Sequence, residues 1–449
     1  MKDSMLALPE PGIYKFDISD ESQKSRLHLR VDEDLSGLLV INASKIIYLN
    51  QSALLMAYLF LSKVENSEAI DILLEKFDVA EDSLQADFNA TVAKIEALTD
   101  ENSAACPICD LGLSTNMPFS AKLSAPYRMD LAITYRCNND CAHCYNARAR
   151  NYPELSTSEW KLVIDKLWEI RIPHVVFTGG EPTLRDDLPE LVAYADQKGM
   201  VTGINTNGTR LGDQAFLDSL VMAGLDHVQI TVESHDAQVH DQMVRRPGAW
   251  EKTLAGLRNV VNSKLYMMTN TTLLNNNAGQ VQQTLEFLAR EGVPTVGLNA
   301  LIYSGKGKTV QTGLRESELP KLLSLAIEMT NLNHQRLIWY TPTQYCHFDP
   351  LLLDLGVKGC TAAYYNMCVE PDGNVIPCQS YYQAVGNILS DPWSRIWNHP
   401  LCLSLRNRLD IPSECKYCDF LQECGGGCPL ARDQQQPEPI YRDLVISRR

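Results

Sequence analysis

The sequence has no apolar run long enough to cross a bilayer. Its longest, Ala53 to Leu61, is nine residues, against about 18 for a spanning helix. Basic charge is in deficit: Lys plus Arg number 40 and Asp plus Glu 55, a formal net charge of −15. That balance argues against a nucleic-acid partner, whose phosphates call for a basic face, and no membrane partner is expected either. The opening MKDSMLALPEPG lacks a basic stretch followed by an apolar run and a cleavage site, so neither signal peptide nor anchor is expected, and the protein is placed in the cytoplasm. Fourteen cysteines in 449 residues are too dilute for a disulfide scaffold. In a cytosolic chain, clustered thiols are more often metal ligands or redox groups. Repeats of fixed period and low-complexity tracts are missing, and with 45% hydrophobic residues the composition excludes disorder as the main state.

At roughly 150 residues per domain the length suggests about three domains. Residues 1–100 read as a small independent module. Short β-rich runs, Leu27 to Val31, Leu38 to Ile41 and Lys45 to Leu49, precede three helical patterns: Gln51 to Ser62, one opened by Ser67 as N-cap, and Asp82 to Leu98. A three-stranded meander followed by three helices is a winged-helix-like arrangement. Residues 101–127 lack periodicity and read as a linker containing Cys106-Pro-Ile-Cys109. From Met129 the pattern becomes β/α alternation, with strands expected at Met129 to Thr134, His174 to Phe177, Met200 to Asn205, His227 to Val232, Leu265 to Thr271 and Thr295 to Ala300. Amphipathic helices separate them, among them Ser156 to Glu169, Leu188 to Lys198 and Gly248 to Asn262. Such alternation implies a parallel sheet, barrel-like or doubly wound, with binding residues at the C-terminal strand ends. From Cys346 onward lie nine of the fourteen cysteines.

Two motifs stand at those strand ends. Cys137-Asn-Asn-Asp-Cys141-Ala-His-Cys144 follows the first strand. Three thiolates on a tight loop suit three irons of a 4Fe-4S cube with the fourth iron open; tetrahedral zinc is the alternative and needs a further ligand. Gly179-Gly180-Glu181-Pro182 ends the second strand; its glycines admit close backbone approach, and Pro182 fixes the turn. Together these residues resemble the radical SAM superfamily over about residues 128–310. The resemblance implies a partial (β/α)6 TIM-type barrel and a 4Fe-4S cluster on Cys137, Cys141 and Cys144 that binds S-adenosylmethionine and cleaves it reductively, so that a substrate hydrogen is abstracted. It implies that Gly179, Gly180, Glu181 and Pro182 meet the methionyl ammonium, and that Asn205 and Asn207, in Asn205-Thr-Asn207-Gly208, lie near the ribose. Thr231 and Glu233 are further candidate contacts. Where relatives carry an Arg-Gly pair, this chain has Val244-Arg245-Arg246, so an arginine contact to the cofactor carboxylate is displaced or replaced.

The C-terminal cysteines have their own spacing: twelve residues separate Cys360 from Gly373 and four more precede Cys378, followed by Cys415-x2-Cys418-x5-Cys424-x3-Cys428. This resembles the SPASM auxiliary-cluster domain; two zinc sites are the alternative. The resemblance implies that Cys360, Cys378 and Cys428 serve a first auxiliary iron-sulfur cluster, with Cys346 as a further ligand, and that Cys415, Cys418 and Cys424 serve a second. Residues 429–449 contain no cysteine for a fourth position, so that position is open, non-thiolate, absent or filled by Cys106 or Cys109. Cys368 and Cys402 read as small buried hydrophobes, and the doublets Tyr364-Tyr365 and Tyr381-Tyr382 as packing residues.

The N-terminal module, with Asp32 before the Gly37 turn and Leu49-Asn50 opening the first helix, resembles PqqD-like RiPP recognition elements. That implies binding of a precursor's leader peptide as an added strand. The expected organisation is therefore a recognition module (1–100), linker (101–127), barrel (128–335) and SPASM domain (336–449). The expected function is a radical SAM maturase that installs a C-S or C-C cross-link in a ribosomally made precursor peptide, with flavodoxin or ferredoxin as reductant. Competing readings are oxidation of a Cys or Ser in a protein substrate, as in anaerobic sulfatase maturases, and a non-catalytic iron-sulfur electron carrier.

Overall fold

In the computed structural model the described residues are 8–19, 24–41, 45–99, 119 and 123–432. The chain divides into two compact units, residues 1–124 with 168–173, and residues 125–167 with 174–449.

The first unit is a four-stranded antiparallel sheet in chain order: β1 (Gly12–Ser19), β2 (Lys24–Val31), β3 (Gly37–Ile41) and β4 (Lys45–Leu49). The sequence reading had three strands. The added one, β1, pairs along its whole length with β2, from Gly12 opposite Val31 to Ser19 opposite Lys24. In β1, Tyr14 and Phe16 pack on the core while Lys15 and Asp17 form an ion pair at 3.7 Å. That is the period-2 alternation of a half-buried strand. Leu27, Leu29 and Val31 of β2 join Leu39, Ile41, Leu54, Ala57, Ile95 and Leu98 in one core. Helices Gln51–Leu61, Asn66–Leu74 and Glu81–Thr99 follow. Asn50 caps the first by accepting from the Ala53 N–H at 2.9 Å. Ser67 does not cap the second, which begins one residue earlier behind Glu65.

The second unit is built on parallel strands in chain order, β5 (Arg128–Thr134), β6 (His174–Gly179), β7 (Val201–Thr206), β8 (His227–Thr231), β9 (Tyr266–Thr272) and β10 (Thr295–Asn299). Helices Thr157–Glu169, Leu188–Lys198, Gln214–Met222, Ala249–Val261 and Val281–Arg290 connect them. The β8–β9 crossover contains a second helix, Ala237–Val244. Residues after position 335 extend the same sheet. β11 (Arg336–Trp339) pairs parallel with β10, and β12 (Asn366–Val369) pairs parallel with β5 on the other edge. The hairpin strands β13 (Asn374–Ile376) and β14 (Gly386–Asn387) follow antiparallel. The mixed α/β fold is a partial barrel whose sheet order runs β11 to β5 and then β12 to β14. Cys368 is buried in β12, packed with Ala132, Tyr135 and Ile376, and Cys402 is buried in helix Pro400–Arg406.

At the N-terminal strand ends, His174 and His227 meet at 2.8 Å between their Nε2 atoms. Burial, aided by the Arg128 charge, pushes His227 down to about 4. In this barrel class chemistry belongs to the opposite end. No helix among the described residues is long and apolar enough to cross a membrane.

Candidate active site

Cys137, Cys141 and Cys144 lie on the loop that leaves β5, and all three are part-exposed. The loop from β6 interlocks with it: Gly180 N–H donates to the Thr134 carbonyl at 2.7 Å and Glu181 N–H to the Arg136 carbonyl at 2.8 Å. A Cβ at Gly180 would collide with the carbonyl oxygens of Tyr135 and Arg136, and Gly179 sits at φ +133° against Thr134, so this contact demands both glycines. Further elements hold the cysteine loop from outside. The carbonyls of Val244 and Met243 accept from Asp140 N–H at 3.0 Å and Ala142 N–H at 2.9 Å. Arg150 donates to the carbonyls of Cys137 at 2.8 Å and Asn139 at 2.6 Å. From beyond β10, Lys306 N–H reaches the Cys144 carbonyl at 2.9 Å, and its ammonium pairs with Asp140 at 2.5 Å.

The thiols suit an iron-sulfur cube. Burial pushes Cys137 upward, and Cys141 well upward with Cys144 repelling its thiolate; a bound cationic centre relieves that cost. Asn139 N–H points at Cys137 Sγ at 3.4 Å, the kind of donor that tunes iron-sulfur thiolates. Three thiolates on one loop can each bind a separate iron of a cube. His143 donates through Nε2 to Glu233 Oε1 at 2.9 Å.

Two carboxylates expected to touch the cofactor also brace the loops around it. Glu181 is 1% exposed and accepts four bonds: Thr183 N at 3.1 Å, Thr183 Oγ1 and Thr206 Oγ1 at 2.6 Å, and Asn207 N at 2.7 Å. It is a buried brace between the β6 and β7 loops, because the N–H groups of a tight turn need an acceptor there. Burial raises its pKa and the four donors oppose the rise. Glu233, also buried, holds His143 and accepts Thr272 N–H at 2.9 Å. Pro182 is buried and opens a short 3-10 turn. Asn205 and Thr231 remain part-exposed at their strand ends. Asn207 donates from Nδ2 to Asn138 Oδ1, inside the cysteine motif, at 2.6 Å, so Glu181, Asn207 and the cysteine loop form one chain of contacts. Arg245 and Arg246 are exposed surface charges. Arg150, Lys306 and Asn138 went unseen in the sequence; their only signal is proximity in the fold.

The C-terminal thiols form two further sets. Cys378 feels the charge of Cys360 and Cys428, and burial with Cys360 nearby pushes Cys428 up to about 12. Cys415 instead feels Cys424, Cys346 and Cys418. Tyr145, next to Cys144, donates to Gln379 Oε1 at 3.2 Å, next to Cys378, which ties the catalytic loop to the first auxiliary set. Beside this link Arg148 grips the fully buried Glu370 at 2.6 and 2.8 Å, with Tyr135 Oη donating at 3.1 Å. Tyr365 stacks on Tyr127 with ring centres 5.0 Å apart, and Tyr382 meets Tyr135 edge-on at 6.3 Å. Cys106 and Cys109 lie outside the described residues.

Comparison with known proteins agrees with this geometry. The Radical SAM superfamily matches residues 131–288, and the iron-sulfur cluster-binding SPASM domain matches residues 360–419. Fe-coproporphyrin III synthase of Methanosarcina barkeri is 30% identical over 325 residues, covering 66% of this chain and 81% of that protein. PqqA peptide cyclase of Granulibacter bethesdensis is 27% identical over 324 residues, covering 68% and 83%. Streptococcus suis SuiB bound to its precursor peptide SuiA superposes with a TM-score of 0.65 at 14% identity, over 93% of this chain and 97% of that one.

Proposed function

The chain belongs to the radical SAM superfamily and carries a SPASM domain, and from that premise we propose that it is a maturase of a ribosomally made precursor peptide. It is an enzyme whose cofactors are S-adenosylmethionine, a catalytic 4Fe-4S cluster and auxiliary iron-sulfur clusters. The modification we favour is an intramolecular C-S or C-C cross-link, a net two-electron oxidation, with flavodoxin or ferredoxin supplying the starting electron.

When bound, cluster and S-adenosylmethionine together supply the oxidising radical chemistry. The protein supplies geometry. Cys137, Cys141 and Cys144 would hold the cluster, and Asn205 and Thr231 lie part-exposed at the ends of β7 and β8. Glu181 fixes the β6 and β7 loops, while Arg150, Lys306 and the Met243 and Val244 carbonyls fix the cysteine loop, so that reacting groups meet in one orientation.

The observation that carries the peptide reading is the N-terminal unit: a four-stranded sheet whose outer strands are β1 and β4, backed by helices Gln51–Leu61 and Glu81–Thr99. Each outer strand has a row of backbone groups that an extended leader can pair with, and an added strand gains affinity from the main chain and selectivity from side-chain pockets. The likeness to PqqA peptide cyclase supports the same reading. A second reading rests on the likeness to Fe-coproporphyrin III synthase, and makes an iron coproporphyrin the product formed from another iron tetrapyrrole. The experiment that separates them gives reduced, reconstituted protein either a precursor encoded beside its gene or an iron tetrapyrrole precursor of iron coproporphyrin. A peptide lighter by two hydrogens, formed together with 5′-deoxyadenosine, supports the maturase. Turnover of the tetrapyrrole alone would overturn it.

A further inference from the structure

The set Cys415, Cys418 and Cys424 needs a fourth ligand, and the resemblance to SPASM domains places one downstream of Cys428, where residues 429–449 hold no cysteine. The structure brings a different segment to these thiols. Residues 343–348 form a tight turn, in which His347 N–H and Phe348 N–H both donate to the Gln344 carbonyl at 2.8 and 2.9 Å. The buried Glu316 pins that turn: its carboxylate accepts Gln344 N–H at 3.2 Å and pairs with His347 Nδ1 at 2.9 Å. Glu316 thus pins the backbone turn that carries Cys346.

The turn is seated on the second auxiliary set. Tyr345 N–H donates to Cys424 Sγ at 3.4 Å, and Cys424 Sγ lies 3.6 Å from the Thr343 carbonyl oxygen. The Tyr345 and Phe420 rings meet with centres 6.4 Å apart. Gly427, at φ +72°, comes so close that a Cβ there would stand 2.9 Å from Gln344 Cγ and 3.2 Å from Gln344 N.

We infer that Cys346, delivered from upstream by the Glu316-pinned turn, completes a four-thiolate set with Cys415, Cys418 and Cys424. Cys360, Cys378 and Cys428 then form a separate three-thiolate set. This rests on the reading that the C-terminal region holds auxiliary clusters, and it removes the need for Cys106 or Cys109 as ligand. A fourth thiolate closes the coordination of that cluster, as expected of a centre that passes electrons.

The test uses the full chain with Cys137, Cys141 and Cys144 all changed to Ala, reconstituted anaerobically, so that only auxiliary iron is read. The readouts are iron and sulfide per chain and the electron paramagnetic resonance spectrum of the reduced centres. Retention of about eight irons is expected for two cubes; retention of none would overturn the auxiliary-cluster reading itself. Cys415→Ala with Cys418→Ala removes the second centre, and in that background Cys346→Ala should change neither iron nor spectrum. Cys360→Ala with Cys378→Ala removes the first, and there Cys346→Ala should lower the remaining iron or alter its spectrum. In the background with all auxiliary cysteines intact, Cys346→Ser should shift the potential of one centre and leave the other unmoved. The inference is overturned if Cys346→Ala disturbs the centre that survives loss of Cys415 and Cys418, or if neither background nor the Ser variant responds.

Discussion

Replacing Glu181 with Gln should injure the protein before any cofactor binds. Oε2 accepts only Asn207 N–H at 2.7 Å, whereas Oε1 accepts Thr183 N–H and two threonine hydroxyls. The least harmful placement of the new amide nitrogen is at Oε2, since hydroxyls can turn but a backbone N–H cannot. One bond to a charged acceptor is then lost, at about 1.5–3 kcal/mol, and two buried donors face each other. Thermal unfolding of the ligand-free protein should move down by about 3–12 °C, at roughly 2–4 °C per kcal/mol. Asn207 shifts with it, and with Asn207 goes its 2.6 Å bond to Asn138 in the cysteine motif. Affinity for S-adenosylmethionine should therefore fall at least about tenfold, a loss of about 1.4 kcal/mol. Methylthioadenosine, which lacks the methionyl amino group, separates bracing from direct contact. As a brace, Glu181→Gln weakens both ligands. Normal melting and normal methylthioadenosine binding, with only S-adenosylmethionine impaired, would refute the brace and restore Glu181 as an ammonium contact.

Breaking the Arg148–Glu370 pair by Arg148→Ala strands a fully buried carboxylate, so unfolding stability should drop by about 3 kcal/mol or more; a loss below about 1 kcal/mol in denaturant titration contradicts this. His227 should stay neutral until near pH 4. Because its folded value lies below the unfolded one near 6.5, its contribution, up to about 3 kcal/mol, is whole above pH 6.5 and shrinks as pH falls toward 4. Nuclear magnetic resonance of labelled histidines reads this directly, and a midpoint near 6.5 is the contrary result. Deleting residues 1–100 should weaken precursor binding by at least tenfold while leaving uncoupled 5′-deoxyadenosine formation. Equal precursor affinity would remove the main support for a peptide substrate.

The six barrel strands were legible because each is a short apolar run between amphipathic helices, and both chemical motifs sit where such strands end. β1 escaped notice because its alternation is carried by Tyr14 and Phe16 between charged residues, with no Val or Leu among them. The continuation of the sheet by β11 and β12 was hidden as well, since pairing with β10 and β5 spans long sequence separations. Motif matching identified Glu181 and Glu233, but the bracing bonds each makes within the fold, four donors to Glu181 and His143 with Thr272 N–H to Glu233, have no signature in the sequence. Arg150 and Lys306 have no local signature, because what makes them matter is a carbonyl of the cysteine loop brought close by folding. Likewise the placement of Cys346 depends on Glu316, thirty residues upstream.

The central claim is that Cys137, Cys141 and Cys144 hold the cluster that activates S-adenosylmethionine, apart from the C-terminal iron. The most direct measurement compares reduced, reconstituted protein with the variant in which all three are Ala, recording 5′-deoxyadenosine formed and iron retained. The account predicts steady 5′-deoxyadenosine production by the unaltered protein, none by the variant, and substantial iron remaining in the variant. Cleavage that persists without the three thiols, or an unaltered protein that holds its iron and makes no 5′-deoxyadenosine, would contradict it.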